Sequence, residues 1–326
     1  MTVEKPPRII SLIASSTEIV HALGLGSYMV GRSHECDFPQ SIKSLPICTS
    51  PKFQVDGSSY EIDQRVKAIL QESLSVYKVD ANILESLQPS HIITQAQCEV
   101  CAVSLRDVEE ALCQLVTSKP VVVSLEPNSL ADFYKDVEKI GQALRVEAEA
   151  AQLITDCKSR IDAIEARANE ALAKGMSKVS VAVIEWIEPL MAAGNWMPEL
   201  VELAGGTNLF GEVGKHSPWM TWEAVIEKEP DVILVTPCGF DNERTLKEMH
   251  LIEQQPHYTA LKAVRNKRVY VADGNQYFNR PGPRLIDSLE IMAEILYPEL
   301  FDFGHKNKAW LNFTDSEFSS KLKQGK

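Results

Sequence analysis

No apolar run in the 326-residue chain approaches the roughly 18 residues that a membrane-spanning helix needs, so no membrane insertion is expected. Basic charge is also scarce. Lys and Arg number 33 against 45 Asp and Glu, a net charge of −12, and no Lys/Arg cluster interrupts that field. A surface of this sign repels phosphate backbones, which excludes nucleic acid as a partner. Motifs of chemistry are missing too: there is no GxSxG nucleophile elbow, no GxxxxGK[ST] phosphate loop and no GxGxxG. The composition, 44% apolar and 24% charged, excludes collagen, low-complexity disorder and a small disulfide scaffold. The seven cysteines are odd in number and suit a reducing compartment better than a disulfide framework. The first apolar segment, Ile9–Ala14, is too short for a secretory leader, so the expected localisation is cytoplasmic, or periplasmic if a leader has been trimmed.

What is present is alternation. Near-continuous apolar runs at Arg8–Ile13, His91–Thr94, Pro120–Leu125, Val179–Trp186, Asp231–Thr236 and Arg268–Ala272 read as parallel strands buried on both faces. Helical patterns separate them; Ser16 is placed to cap one that Gly24 and Gly26 end. Strand-helix alternation of this kind implies an α/β fold with parallel sheets. From about Asn128 to Lys174 there is no Pro and a single Gly, and Ile154, Cys157, Ile161, Ile164, Ala168 and Ala171 recur at spacings of three and four. That stripe predicts one helix of about 28 residues, roughly 40 Å long. It either pairs with another chain or, as the α/β patterns on both sides favour, connects two lobes. Those sides echo each other: "LESLQPSHIIT" (84–94) and "VIEKEPDVILVT" (225–236) are each a helix end, a Pro turn and a buried strand. The expected organisation is an N-terminal α/β lobe (1–127), a connecting helical segment (128–176), a second α/β lobe (177–298) and a polar, poorly ordered tail (299–326). The two Rossmann-like lobes, joined by one long backbone helix, would leave a ligand cleft between them.

The segments that follow the strands hold the candidate site. Ser15, Ser16 and Thr17 bring hydroxyls to a helix start, where they either cap it or meet a polar ligand edge. "SHECDFP" (33–39) packs His34, Glu35, Cys36 and Asp37 together, and Gln95 ends the second strand. Trp186, Trp196, Trp219 and Trp222 lie beside Gly, Pro and Asn, as aromatic residues do when they line a pocket for a flat ligand, although core packing would also account for them. Asn195, His216, Tyr277, Asn279 and Arg280 complete that surface. Cys98 and Cys101 supply half of a tetrahedral zinc or iron site that His34 and Cys36 could complete; two half-buried thiols is the plainer reading.

"RIISLIASSTEIVHALGLGSYMVGRSHECDFP", "LQPSHIITQAQCEVCAV", "ELAGGTNLFGEVGKHSPWMTWEAVIEKEPDVILV" and "RVYVADGNQYFNRPGPRLIDSLEIMAEILYP" resemble, in order, segments of the cobalamin-binding, BtuF-like branch of the periplasmic-binding-protein family with a helical backbone. The resemblance covers about residues 8 to 298. It implies a corrinoid or related metal chelate as ligand, Trp219 packing on the corrin ring, and Glu223 docking on a membrane permease of the ABC transporter type. The matching docking position in the first lobe falls at Asn82, a departure from the family pattern. The DxHxxG motif of corrinoid enzymes is absent, since Ile19 stands where Asp is needed. His34 or His216 could supply an axial ligand to cobalt. Three functions are therefore in view: cytosolic storage or delivery of a corrinoid, a metal-binding protein or metalloenzyme using His34, Cys36, Cys98 and Cys101, and an exported receptor feeding a transporter.

Overall fold

The structure, a computed structural model, describes residues 6–72, 76–96, 105–115 and 117–314. The chain divides into two compact units, one formed by residues up to 57 with 61–156, the other by 58–60 with 157 onward.

The first unit runs β1 (Ile9–Ser11), α1 (Ala14–Ala22), β2 (Met29–Arg32), β3 (Thr49–Pro51), α2 (Ser59–Glu72), β4 (Tyr77–Val79), α3 (Ala81–Leu87), β5 (His91–Gln95), α4 (Leu105–Leu115), β6 (Val121–Leu125) and α5 (Leu130–Leu144). Its main sheet has the order β2-β1-β5-β6, with every pair parallel; Ile9, Ile10 and Ser11 face His91, Ile92 and Ile93 in register. β3 and β4 form a separate antiparallel pair. Ile10, Leu12, Leu84, Ile92 and Val108 build the core, each at most 1% exposed. Branched residues dominate the strands because a pleated surface covered on both sides rewards their shape.

α6 (Glu147–Ala173) begins in the first unit and ends in the second. At 27 residues it matches the predicted length, and Ile154, Cys157, Ile161, Ile164 and Ala168 of the predicted stripe are all buried. In the second unit its Ala168 and Leu172 lie so close to Gly205, at φ +84°, that a Cβ there would meet Ala168 at 2.9 Å.

The second unit continues with β7 (Ser180–Trp186), β8 (Met191–Ala192), α7 (Met197–Leu203), β9 (Thr207–Asn208), α8 (Trp222–Lys228), β10 (Val232–Val235), α9 (Asn242–Glu253), α10 (Lys262–Arg265), β11 (Val269–Ala272), α11 (Leu285–Leu296) and β12 (Trp310–Asn312). The sheet order is β12-β11-β10-β7-β8, with β9 also on β7; β11, β10, β7 and β9 are parallel, whereas β12 and β8 pair antiparallel. All four residues of β10 and of β11 are buried.

The internal echo has a structural counterpart. α3 starts on an Asp80 cap, stops at Gln88 in the left-handed region (φ 45°) and passes through Pro89 to β5. α8 starts on a Thr221 cap, stops at Glu229 (φ 42°) and passes through Pro230 to β10.

Two expectations are corrected. α1 starts at Ala14, its N-cap Ile13 has no side-chain cap, and Ser16 lies inside the helix with its hydroxyl on Ser11 Oγ (2.6 Å) and Ile13 O (3.1 Å). Residues 303–314 do not trail as a polar tail: Trp310–Asn312 joins β11 as an edge strand, and Trp310 is 4% exposed with its indole N–H on Glu294 Oε2 at 2.6 Å. Residues 315–326 lie outside the described residues.

Candidate functional site

In open α/β sheets ligands collect beyond the carboxyl ends of the parallel strands, and both units carry polar clusters there. In the first unit, Thr17 donates its hydroxyl to Ser11 Oγ (2.8 Å) and lies 3.0 Å from Cys36 Sγ. Ser11, Ser16 and Thr17 are fully buried, so these hydroxyls tie the β1–α1 turn to the 33–36 turn. Ser15, in the first turn of α1, is 1% exposed and its hydroxyl has no hydrogen-bond partner among the described residues. Gln95, at the end of β5, is 3% exposed.

His34 follows β2. Its Nδ1 lies 2.8 Å from Thr49 Oγ1, which in turn donates to Ser33 Oγ at 3.1 Å. Burial and then the Arg32 charge lower the His34 pKa to about 4, so the imidazole is neutral at physiological pH, the form that ligates metals. Tyr77 stands 5.0 Å from the His34 ring and donates its hydroxyl to Glu35 Oε1 at 2.6 Å. The sequence contained no hint of that pairing, because Tyr77 arrives on β4, a strand too short to read. Among the described residues no group of three His, Cys, Asp or Glu side chains is placed to hold a metal ion. Of the four candidate zinc ligands, Cys98 and Cys101 lie outside the described residues.

In the second unit Glu185, next to last on β7, accepts the Ser217 hydroxyl at 2.9 and 3.0 Å, while Ser217 Oγ accepts the Gly194 N–H at 3.1 Å. Gly194 packs so tightly on the 215–217 backbone that a Cβ would meet Lys215 O at 2.6 Å. Asn195 next to it takes φ 52°, a left-handed conformation that Asn tolerates well, and donates its backbone N–H to Lys215 O at 2.7 Å. These contacts fix the loop that presents Asn195. Trp219 is 57% exposed, and its backbone bridges Met191 of β8. Trp186 is half-buried against Phe240 at 5.3 Å, with its indole N–H on Glu188 O. His216 is exposed, with Nδ1 2.9 Å from Ser217 O.

Other candidates are committed to the scaffold. Trp222 is a core residue: it is 5% exposed, stacked on Tyr258, and donates to Pro256 O at 2.8 Å. Trp196 is 6% exposed and donates to Phe278 O at 2.6 Å. The Asn279 amide bonds Thr236 O and Gly274 O, both at 3.1 Å. Arg280 donates to Asn275 Oδ1 at 2.9 Å. Arg284, absent from the candidates, is 7% exposed with its guanidinium 5.5 Å from the Tyr277 ring. Glu185 was readable only through its place near the end of β7, and Arg284 only through the loop that leads from β11 into α11, since nothing in their neighbours marks them. Glu223 and Asn82 are both exposed in the first turns of α8 and α3.

Two α/β units with polar and aromatic loops at their strand ends, one long helix running from the first into the second, define the architecture of a helical-backbone solute-binding protein. The chain belongs to the periplasmic binding protein family, whose model matches residues 9–275. It is 26% identical over 307 residues to an uncharacterized ABC transporter substrate-binding lipoprotein, YvrC, of Bacillus subtilis, covering 92% of this chain and 83% of that one. It is 23% identical to a vitamin B12-binding protein of Vibrio vulnificus over 88% of this chain and 89% of the relative. Among solved structures, a periplasmic heme-binding protein from Pseudomonas aeruginosa superposes with a TM-score of 0.69 at 20% identity, over 91% of this chain and 94% of that one, a likeness of fold. Among the described residues no helix is long and apolar enough to cross a membrane.

Proposed function

We propose that the chain is the substrate-binding protein of an ABC transporter and that its cargo is a corrinoid, cobalamin or a close relative. The exported role replaces cytosolic storage as the preferred reading, because the relatives are named as a transporter lipoprotein and as vitamin B12-binding proteins. The observation that carries the ligand class is Trp219, a large aromatic left 57% exposed at the strand-end face of the second unit. An indole so presented, beside the half-buried Trp186 and Asn195, suits the apolar face of a macrocycle with amide arms. Within the first unit, His34 is held neutral by burial and the Arg32 charge, the form of an imidazole that can ligate a metal. Glu223, exposed on α8, is the contact proposed for the permease.

Gel filtration of the purified chain with cyanocobalamin tests the ligand class. Co-elution of the cobalamin chromophore with the protein peak supports it. A colourless protein peak with full recovery of free cobalamin rejects it. Co-elution of hemin under the same conditions, without cobalamin, would move the cargo to a porphyrin.

A further inference from the structure

One face of α11 carries Asp287, Glu290 and Glu294, spaced three and four residues apart so that they fall in a row. All three are engaged. Arg160 of α6 donates to Asp287 Oδ1 at 2.7 Å and to Glu290 Oε1 at 2.6 Å. Glu294, 3% exposed, accepts the backbone N–H groups of Phe303 and His305 and the indole N–H of Trp310. His305 Nε2 lies 2.9 Å from Glu290 Oε2. The His305 ring also meets the ring of Tyr277 edge-on, with centroids 6.4 Å apart and planes at 66°. The same segment anchors the base of the Tyr277 loop, where Asp273 donates its N–H to Ala309 O at 2.9 Å.

We propose that His305 is a positioning residue for Tyr277: the segment 303–310, held on α11 by Glu290 and Glu294, sets the Tyr277 ring, so that ligand affinity varies with the protonation of His305. This rests on the reading of Tyr277 as a ligand contact. The charged groups around His305 are Glu290, Glu294 and Asp287 of α11, Arg160 of α6 bound to the same carboxylates, and Lys306 and Asp302 of its own segment. Arg284 lies 5.5 Å from the centre of the Tyr277 ring. Carboxylates dominate. The Glu290 hydrogen bond, opposed by burial, raises the His305 pKa above 6.5, and the protonated ring donates a charge-assisted bond that the neutral ring makes more weakly. Raising the pH through that value therefore loosens the segment and the ring it faces.

The test labels the tyrosines as 3-fluorotyrosine, with the Tyr277 resonance assigned through Tyr277→Phe. Its ¹⁹F shift is followed without ligand from about pH 5.5 to about pH 7.5, where histidines change charge and the fluorinated phenol, though more acidic than an ordinary tyrosine, stays protonated. In the wild type it titrates with a midpoint above 6.5, the ordinary histidine value; in His305→Gln it is flat. Across the same range the Kd for cyanocobalamin weakens about fivefold in the wild type, a modest coupling between sites, and stays level in the variant. A Tyr277 resonance that does not titrate, or that titrates alike in His305→Gln, overturns the proposal, as does a titrating ring with a level wild-type Kd. A titrating ring with no cobalamin binding at any pH supports the His305–Tyr277 linkage and rejects the ligand reading instead. Glu290→Gln is the second variant if His305→Gln fails to fold: its Tyr277 midpoint moves to lower pH, and an unmoved midpoint overturns the linkage.

Discussion

Trp219 and Trp222 stand three residues apart and occupy opposite environments, which makes them a paired test. Trp219 is 57% exposed, about 140 Å² if an indole side chain offers ~250 Å². Covering about half of that with a flat ligand, at ~25 cal/mol per Å², contributes about 1.8 kcal/mol, or roughly twentyfold in Kd. Trp219→Ala is therefore expected to weaken cyanocobalamin binding about twentyfold in a calorimetric titration and to leave the melting temperature nearly unchanged, since more than half of the side chain is already exposed. Trp222 is 5% exposed, stacked on Tyr258 and bonded to Pro256 O. Trp222→Ala leaves a cavity and an unpaired carbonyl and is expected to cost about 3–5 kcal/mol of stability. Trp222→Phe, which keeps most of the volume, should retain cobalamin affinity. Wild-type affinity in Trp219→Ala, or a Trp222→Phe protein that is folded yet binds cobalamin twentyfold more weakly, would refute the assignment of one ring to the ligand and the other to the core.

Further expectations concern the scaffold. Trp310→Phe keeps the ring contact with Tyr270 but strips the indole N–H from Glu294, which is 3% exposed. Weakening a buried, charged acceptor's partners costs about 2 kcal/mol, so calorimetry should show the second unit melting roughly 4–8 °C lower; an unchanged melt would mean that the bond contributes nothing. Burial raises the Asp136 pKa to about 7, although Oδ1 accepts the Glu126 N–H at 3.3 Å. A carboxyl raised in the folded state stabilises below its unfolded value of 3.8, and that stability is lost as the pH rises through about 7. Asp136→Asn should therefore gain in melting temperature over the wild type between about pH 5 and pH 7 and hold that gain above; a constant difference across the range argues against a buried titrating carboxyl. Gly274→Ala would set a Cβ 2.1 Å from Pro237 O, backbone against backbone, and should lower both stability and cobalamin affinity by displacing the Asn279 anchor.

Much of the fold could be read from the sequence because parallel strands buried on both faces leave unbroken apolar runs. The six expected strands all appear, β1 three residues shorter than expected, β6, β7, β10 and β11 one or two shorter and β5 one longer, and the stripe from Ile154 to Ala168 predicted α6 directly. The strands β2, β3, β4, β8, β9 and β12 escaped because two to four residues carry no period. β12 in particular hides in a polar stretch whose order depends on Glu294, 16 residues away from Trp310 and unconnected to it in sequence. The candidate site was legible as a set of loops but not as a set of side chains. Trp196, Trp219 and Trp222 share the same sequence surroundings, and only the hydrogen bonds of two of them to Phe278 O and Pro256 O separate scaffold from exposed surface. Glu35 with Tyr77 and Glu185 with Ser217 are pairings across 42 and 32 residues, which no local pattern encodes.

The most direct measurement of the central claim is an isothermal titration of the wild-type chain with cyanocobalamin, run beside hemin. A saturable one-to-one heat with a micromolar or tighter Kd for cyanocobalamin is expected, with hemin weaker. A flat cobalamin titration from a protein with an intact thermal melt would contradict a corrinoid cargo.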